Sequence, residues 1–183
     1  PPGVAEQLAA IARGVSIVEG RQARDLADLA QAEALAGVHS LAGGGDIAIE
    51  TTRALTTVDV DAGERKGSDF KRVTRQLNLA ALAAGARLLR LKSLGGLVVF
   101  DLAGRGHDGA AMLAAARAAF GPDNPGVAFG PISRFGTLEM TIPRRTPPVR
   151  EILCGANGAL SDRTLALALV RRIEDEAAAQ PGA

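Results

Sequence analysis

The sequence predicts a mixed α/β fold, of the α+β kind, with helices flanking a mixed β-sheet. Three observations point to it. ALTTVDVD at 54–61 alternates apolar and polar residues, the pattern of a half-buried strand. LVVFD at 97–101 is a continuous apolar run, as in a strand buried on both faces. Between them, DFKRVTRQLNLAALAAGARLLRLK at 69–92 repeats its apolar residues at helical spacing. Strands and helices mix along the chain in this way, which gives the α/β or α+β class.

The other elements follow in chain order. VAEQLAAIAR, 4–13, reads as a helix that stops at Gly14, and VSIVE, 15–19, as a short apolar strand. RQARDLADLAQAEALAG, 21–37, is helical, with Gly37 as its stop. HSLAGGGD, 39–46, reads as a glycine-rich turn; no Gly-Lys-Ser/Thr follows, so it is not a Walker loop. DIAIET, 46–51, and ALTTVDVD form a hairpin. In the long helix Phe70, Val73, Leu77, Ala81, Ala84, Leu88 and Leu91 make one stripe. Helix 106–120 and strand candidates VAFGPIS and TLEMTI surround Arg134, Phe135 and Gly136. PRRTPP, 143–148, is a linker. SDRTLALALVRRIEDEAA, 161–178, is a helix capped by Ser161 or Asp162, with Leu165, Leu169 and Ile173 as its stripe.

Composition excludes little. The 183 residues are 47% hydrophobic and 22% charged, with a formal net charge of +1. That length supports one or two small domains with a real core. From Arg65 to Lys92, however, eight basic residues accompany one acidic residue, Asp69. Such a segment suits either an anionic partner or a solvated helix face. Cys154 is the sole cysteine, so no internal disulfide can form. The N-terminal residues lack a signal-peptide layout, and no apolar run approaches the ~20 residues that span a bilayer. A soluble cytoplasmic protein is expected, with no membrane partner. A chain opening at Pro1 also fits a piece of something longer.

The hairpin strand carries the chemistry. Thr57, Asp59 and Asp61 share one face, and Val58 and Val60 the other. Asp59 and Asp61 lie roughly 7 Å apart at ~3.3 Å per residue. Like charges that close repel unless a cation lies between them. If strand 54–61 lies beside 97–101, Asp59 and Asp101 face one cation. Carboxylates without His or Cys suit a hard ion such as Mg²⁺, which binds phosphate oxygens and activates water. The spacing alone is equally served by two solvated edge-strand aspartates.

ALTTVDVDAG, SLGGLVVFDL and ISRFGTLEMT, in that order, resemble the catalytic region of the ribonuclease E/G family. The likeness covers about 43–178 and is weaker over the upstream strand and helix. It implies a DNase I-like catalytic subdomain at 43–150, a ribonuclease H-like remnant at 1–42, and a degenerate zinc-link region with a C-terminal helix at 151–183. It implies an endoribonuclease that cuts single-stranded RNA with Mg²⁺ (Mn²⁺ as a substitute) and leaves 5′-phosphate ends. Asp59 and Asp101 land on the family's metal-holding aspartates. Asp61 lands on a position usually Asn that places the attacking water. Lys66, Lys71, Arg72 and Arg75 would follow the RNA backbone.

Arg134 reads as a phosphate clamp or as an arginine on local carbonyls. Phe135 reads as a base-stacking platform or as core. Asn78 either faces the metal or is an exposed polar residue. His39 and His107 belong to no motif and read as loop or surface residues.

The sequence departs from the family at four places. Asp61 replaces Asn, Gly104 replaces an acidic residue, and Ala80 replaces a Glu. In EILCGANG, Glu151 stands where the first Cys of a zinc link falls and only Cys154 remains, so no zinc is expected. Neither an S1-type domain nor a 5′-end sensor is found, which leaves a short member or a fragment. A homodimer through the C-terminal helix stays open. So do two other functions: a catalytically weak RNA-binding module of the same fold, and a general or DNA-directed phosphodiesterase.

Overall fold

A computed structural model describes residues 3–179 apart from 13, 15, 19, 64–69 and 122–124. Among these, helices α1 (Val4–Ile11) and α2 (Gly20–Leu35) precede strands β1 (Val38–Ser40), β2 (Asp46–Thr51) and β3 (Thr56–Asp61). Helix α3 (Phe70–Leu91) leads to β4 (Gly96–Asp101), followed by α4 (Gly109–Phe120). Then come β5 (Ala128–Ile132), β6 (Thr137–Ile142), α5 (Val149–Leu153) and α6 (Asp162–Ala179). The strands form one six-stranded sheet in the order β1-β2-β3-β4-β6-β5. Only β3 and β4 pair in parallel; the other neighbours are antiparallel. The mixed α/β class expected from the sequence is the class observed.

One face of the sheet is the core. Alternation turns Ile47, Ile49, Val58, Val60, Val98, Phe100, Leu138, Met140 and Ile142 inward, all buried. They meet Leu77, Ala81, Leu82, Leu88 and Leu89 of α3 and Met112, Ala116 and Phe120 of α4. Phe120 stands edge-on to Phe100 at 6.3 Å and to Phe129 at 6.0 Å, favoured aromatic geometries. Each such side chain contributes about 1.5–3 kcal/mol on full burial. At Gly85 a side chain would collide with the Phe100 ring at 2.6 Å, so glycine lets α3 lie directly on β4.

The buried stripe of α3 is broader than its apolar residues. Thr74, Asn78 and Lys92 are also buried. Lys92 donates from Nζ to the carbonyls of Glu33, Ala34 and Ala36, capping the C-terminal end of α2. Arg87 pairs with Glu33, and Arg90 donates to the Ala119 carbonyl at 3.2 Å. The basic segment thus divides. Its C-terminal half ties helices together, while Lys71, Arg72 and Arg75 stay exposed in the first turns of α3. The Gly95–Gly96 pair cradles Arg144, whose Nε donates to the Gly95 carbonyl at 3.3 Å.

Several expectations change. Residues 39–46 are not only a turn: β1 occupies 38–40 and pairs with β2, because Gly43, Gly44 and Gly45 reverse the chain between them. β1 thus precedes position 42 and pairs with β2, which follows it, in one sheet. Residues 16–18 form no strand and Ile17 is 48% exposed; positions 15 and 19 of this run lie outside the described residues. Helix α4 begins at 109, where Asp108 accepts from the Ala111 N–H at 3.1 Å and caps it. α5 arises within the stretch read as a zinc-link remnant. Ser161, rather than Asp162, caps α6, accepting from the Thr164 N–H at 3.3 Å. The α6 stripe is uncovered among the described residues: Leu165, Leu169 and Ile173 are 51–60% exposed. No helix among the described residues is long and apolar enough to cross a membrane.

Candidate active site

β3 and β4 run side by side in the same direction, and the last pair of their ladder is Asp59 opposite Asp101. Adjacent strands stand ~4.8 Å apart, so two carboxylates emerge next to each other at the carboxyl end of the only parallel pair. That is where α/β sheets gather ligand-binding groups. The hydrophobic alternation fixes this register. A slip by one residue would drive Val58 and Phe100 to the surface and the aspartates into the core.

The same face carries more negative charge. Asp61 pairs with Asp46 across β2, Thr57 with Glu50, and Val99 with Glu139 across β6. The six strands contain no Lys or Arg to neutralise these groups. Burial, then the charges of Asp101, Asp61 and Asp46, push the Asp59 carboxyl above its ordinary range. A cation between Asp59 and Asp101 relieves that repulsion. Two exposed carboxylates without nitrogen or sulfur donors fit a hard divalent ion that keeps several waters. Among the described residues no group of three His, Cys, Asp or Glu is arranged as a closed metal cage.

Asp61 lies on the same face, with Oδ1 accepting from the Gly63 N–H at 2.8 Å. Asn78 is neither exposed nor on the carboxylate face: it is fully buried in α3. Its Nδ2 donates to the Ala103 carbonyl, and its Oδ1 accepts from the Ala103 N–H, both at 3.0 Å. The amide thereby clamps the loop two residues beyond Asp101. Gly104 follows, at φ +84; a Cβ there would stand 2.9 Å from Thr74 Cγ2. A side chain at this position would require Thr74 to shift and would hold a strained backbone.

Ser133 builds the neighbouring turn. Its hydroxyl accepts from the N–H groups of Phe135 and Thr137, both at 3.2 Å, and bonds the Thr137 hydroxyl at 2.7 Å. Gly136 sits at φ +95, which glycine adopts without strain. Arg134 and Phe135 project from the tip. Phe135 is 74% exposed, so it is not core, and the Arg134 guanidinium lies 4.7 Å from its ring centre.

Lys71, Arg72 and Arg75 stand on the start of α3, which follows β3 and touches the loop after β4 through Thr74 and Gly104. They share the aspartates' end of the sheet. Lys66 lies outside the described residues. Cys154 is a half-buried free thiol, and Glu151 is exposed. His39 lies on β1, with Nε2 3.2 Å from the Ala36 carbonyl. Sequence reasoning missed Asp46 and Glu139. Their strand alternation was readable, but their neighbours depended on sheet order.

Paired carboxylates at the carboxyl end of a parallel strand pair, with basic residues at the same end, define a site suited to cation-assisted chemistry on a phosphate. The Ribonuclease E/G family profile matches residues 16–145. Ribonuclease E of Escherichia coli K12 is 35% identical over 147 residues, covering 75% of this chain and 14% of that protein. Ribonuclease E of Haemophilus influenzae is also 35% identical over 147 residues, covering 75% of this chain and 16% of its own. Ribonuclease G of Escherichia coli K12 is 30% identical over 117 residues, covering 62% of this chain and 24% of that protein. The chain belongs to the ribonuclease E/G family. It spans between 14% and 24% of the length of these relatives.

Proposed function

We propose that this chain is the catalytic part of an endoribonuclease that hydrolyses phosphodiester bonds of single-stranded RNA and leaves 5′-phosphate ends. The observation that supports it most is the register pair Asp59–Asp101 within a family whose members are named ribonucleases. In this reading Asp59 and Asp101 hold Mg²⁺, with Mn²⁺ as a substitute. The bound ion supplies Lewis acidity toward a phosphate oxygen and a water activated for attack. Asp61 orients that water through its carboxylate. Lys71, Arg72 and Arg75, with Lys66, hold the RNA backbone, and Arg134 binds a phosphate beside the aspartates. Asn78 serves as a positioning residue through the Ala103 loop. The enzyme works in the cytoplasm, with residues 43–150 as its DNase I-like catalytic part. An S1-type domain in the longer protein supplies further RNA grip, and α6 offers a dimer contact.

Gly104 favours a second reading, a catalytically weak RNA-binding module, because it offers no carboxylate where the family often has one. The test is cleavage of a 5′-monophosphorylated single-stranded RNA with Mg²⁺, with EDTA, and with Asp59→Asn or Asp101→Asn. Cleavage that needs Mg²⁺ and is lost in both variants supports the nuclease. Salt-sensitive binding without cleavage by the wild type selects the module.

A further inference from the structure

Beside Asp101 two loops enclose a recess of about 390 Å³. The β4–α4 loop supplies Arg105 and His107, and the β5–β6 turn supplies Ser133, Arg134, Phe135 and Gly136. Its volume lies within the ~300–1,000 Å³ of small-molecule sites. The recess is tied to the carboxylate strand: Leu102 N–H donates to the Gly136 carbonyl at 3.2 Å, and Asp101 pairs with Thr137. Whatever occupies it therefore lies at the end of β4 that carries Asp101.

Its chemistry is the reverse of the sheet face. Two guanidinium groups, an exposed aromatic ring and an imidazole replace the carboxylates. His107 Nε2 is buried without a hydrogen-bond partner. Such an atom costs stability unless something pairs with it. Nε2 packs against Gly136, where a Cβ would stand 3.1 Å from it, so a modest turn of the imidazole is what brings it into the recess. An anion attached to a flat ring bearing polar edges matches all these features: the arginines take the anion, Phe135 the ring face, and His107 the ring edge.

We propose that this recess is a nucleotide subsite, an inference that rests on the nuclease reading. It seats the base flanking the scissile phosphate, stacked on Phe135, with the His107 ring turned out to bond the base edge and Arg105 on the adjoining phosphate. The subsite makes this one nucleotide a determinant of where the enzyme cuts.

The test uses single-stranded RNA whose cleavage position has been mapped, carrying photoreactive 5-iodouridine on either side of that position. Irradiation in EDTA and peptide mass spectrometry should place the crosslink on Phe135 or His107. In parallel, Phe135→Ala should raise KM about tenfold, the size of one lost base stack, and His107→Leu about fivefold, the size of one lost hydrogen bond, each more than it lowers kcat. Replacing the flanking nucleotide by an abasic one should erase the difference between variants and wild type. Phe135 is largely exposed, so its removal leaves the fold intact. Cleavage by wild type with crosslinks only elsewhere, or with both variants kinetically unchanged, overturns the subsite and leaves the nuclease standing. Absence of both crosslinking and cleavage overturns the two together.

Discussion

Asn78→Leu removes an amide that makes two hydrogen bonds to Ala103, each 3.0 Å long. The substitution keeps the side chain's approximate size but leaves one backbone donor and one acceptor without partners. An unsatisfied buried group costs about 1–3 kcal/mol. Ala103 is half-buried, so the lower part of that range applies to each group. The expected loss is about 2–3 kcal/mol, or a melting temperature lower by roughly 4–12 °C for a chain of this size. Thermal unfolding by circular dichroism measures it. Cleavage should fall as well, mainly through kcat, because the loop clamped by Asn78 begins directly after Asp101. A melting temperature unchanged within a degree would refute the clamp.

Asp59→Asn should stabilise the fold while removing cleavage. At pH 7 relief of like-charge repulsion between neighbouring strands is worth about 0.2–1 kcal/mol at this exposed position. Because the folded carboxyl is pushed up, both states are protonated below the ordinary value of 3.8, and the variant gains nothing there. The gain should grow as pH rises through the elevated folded value and then level off, which urea titrations across pH 3–8 would follow. Lys92→Met strands the carbonyls at the end of α2 and should cost about 1–3 kcal/mol in the same assay. Lys71→Ala and Arg75→Ala should each reduce the slope of log affinity against log salt for single-stranded RNA by about 0.7, read by fluorescence anisotropy.

The sheet was legible where alternation was strict. Val58 and Val60 against Asp59 and Asp61 define a buried and an open face, and LVVFD follows a helix long enough to return the chain in parallel. The candidate pair was legible for the same reason, since Asp59 falls on the open face of β3 and Asp101 ends β4. β1 was hidden because three residues beside a glycine run carry no period. The roles of Asn78 and Lys92 were hidden because an apolar stripe omits polar residues that bury themselves by bonding to backbone. The recess at His107 had no signal at all: it needs the Ser133 turn brought against the loop after β4. The apolar stripe of α6 stays exposed in the single chain, since periodicity reports a face and not its partner.

The central claim is that Asp59 and Asp101 act as one cation site. Mn²⁺ binding followed by electron paramagnetic resonance tests it directly on wild type, Asp59→Asn, Asp101→Asn and Glu50→Gln. The account predicts one ion per chain that is lost in either aspartate variant and kept in Glu50→Gln, which alters the same face away from the pair. Binding that survives either aspartate variant, or weakens equally in Glu50→Gln, would contradict it and leave only a diffuse acidic surface.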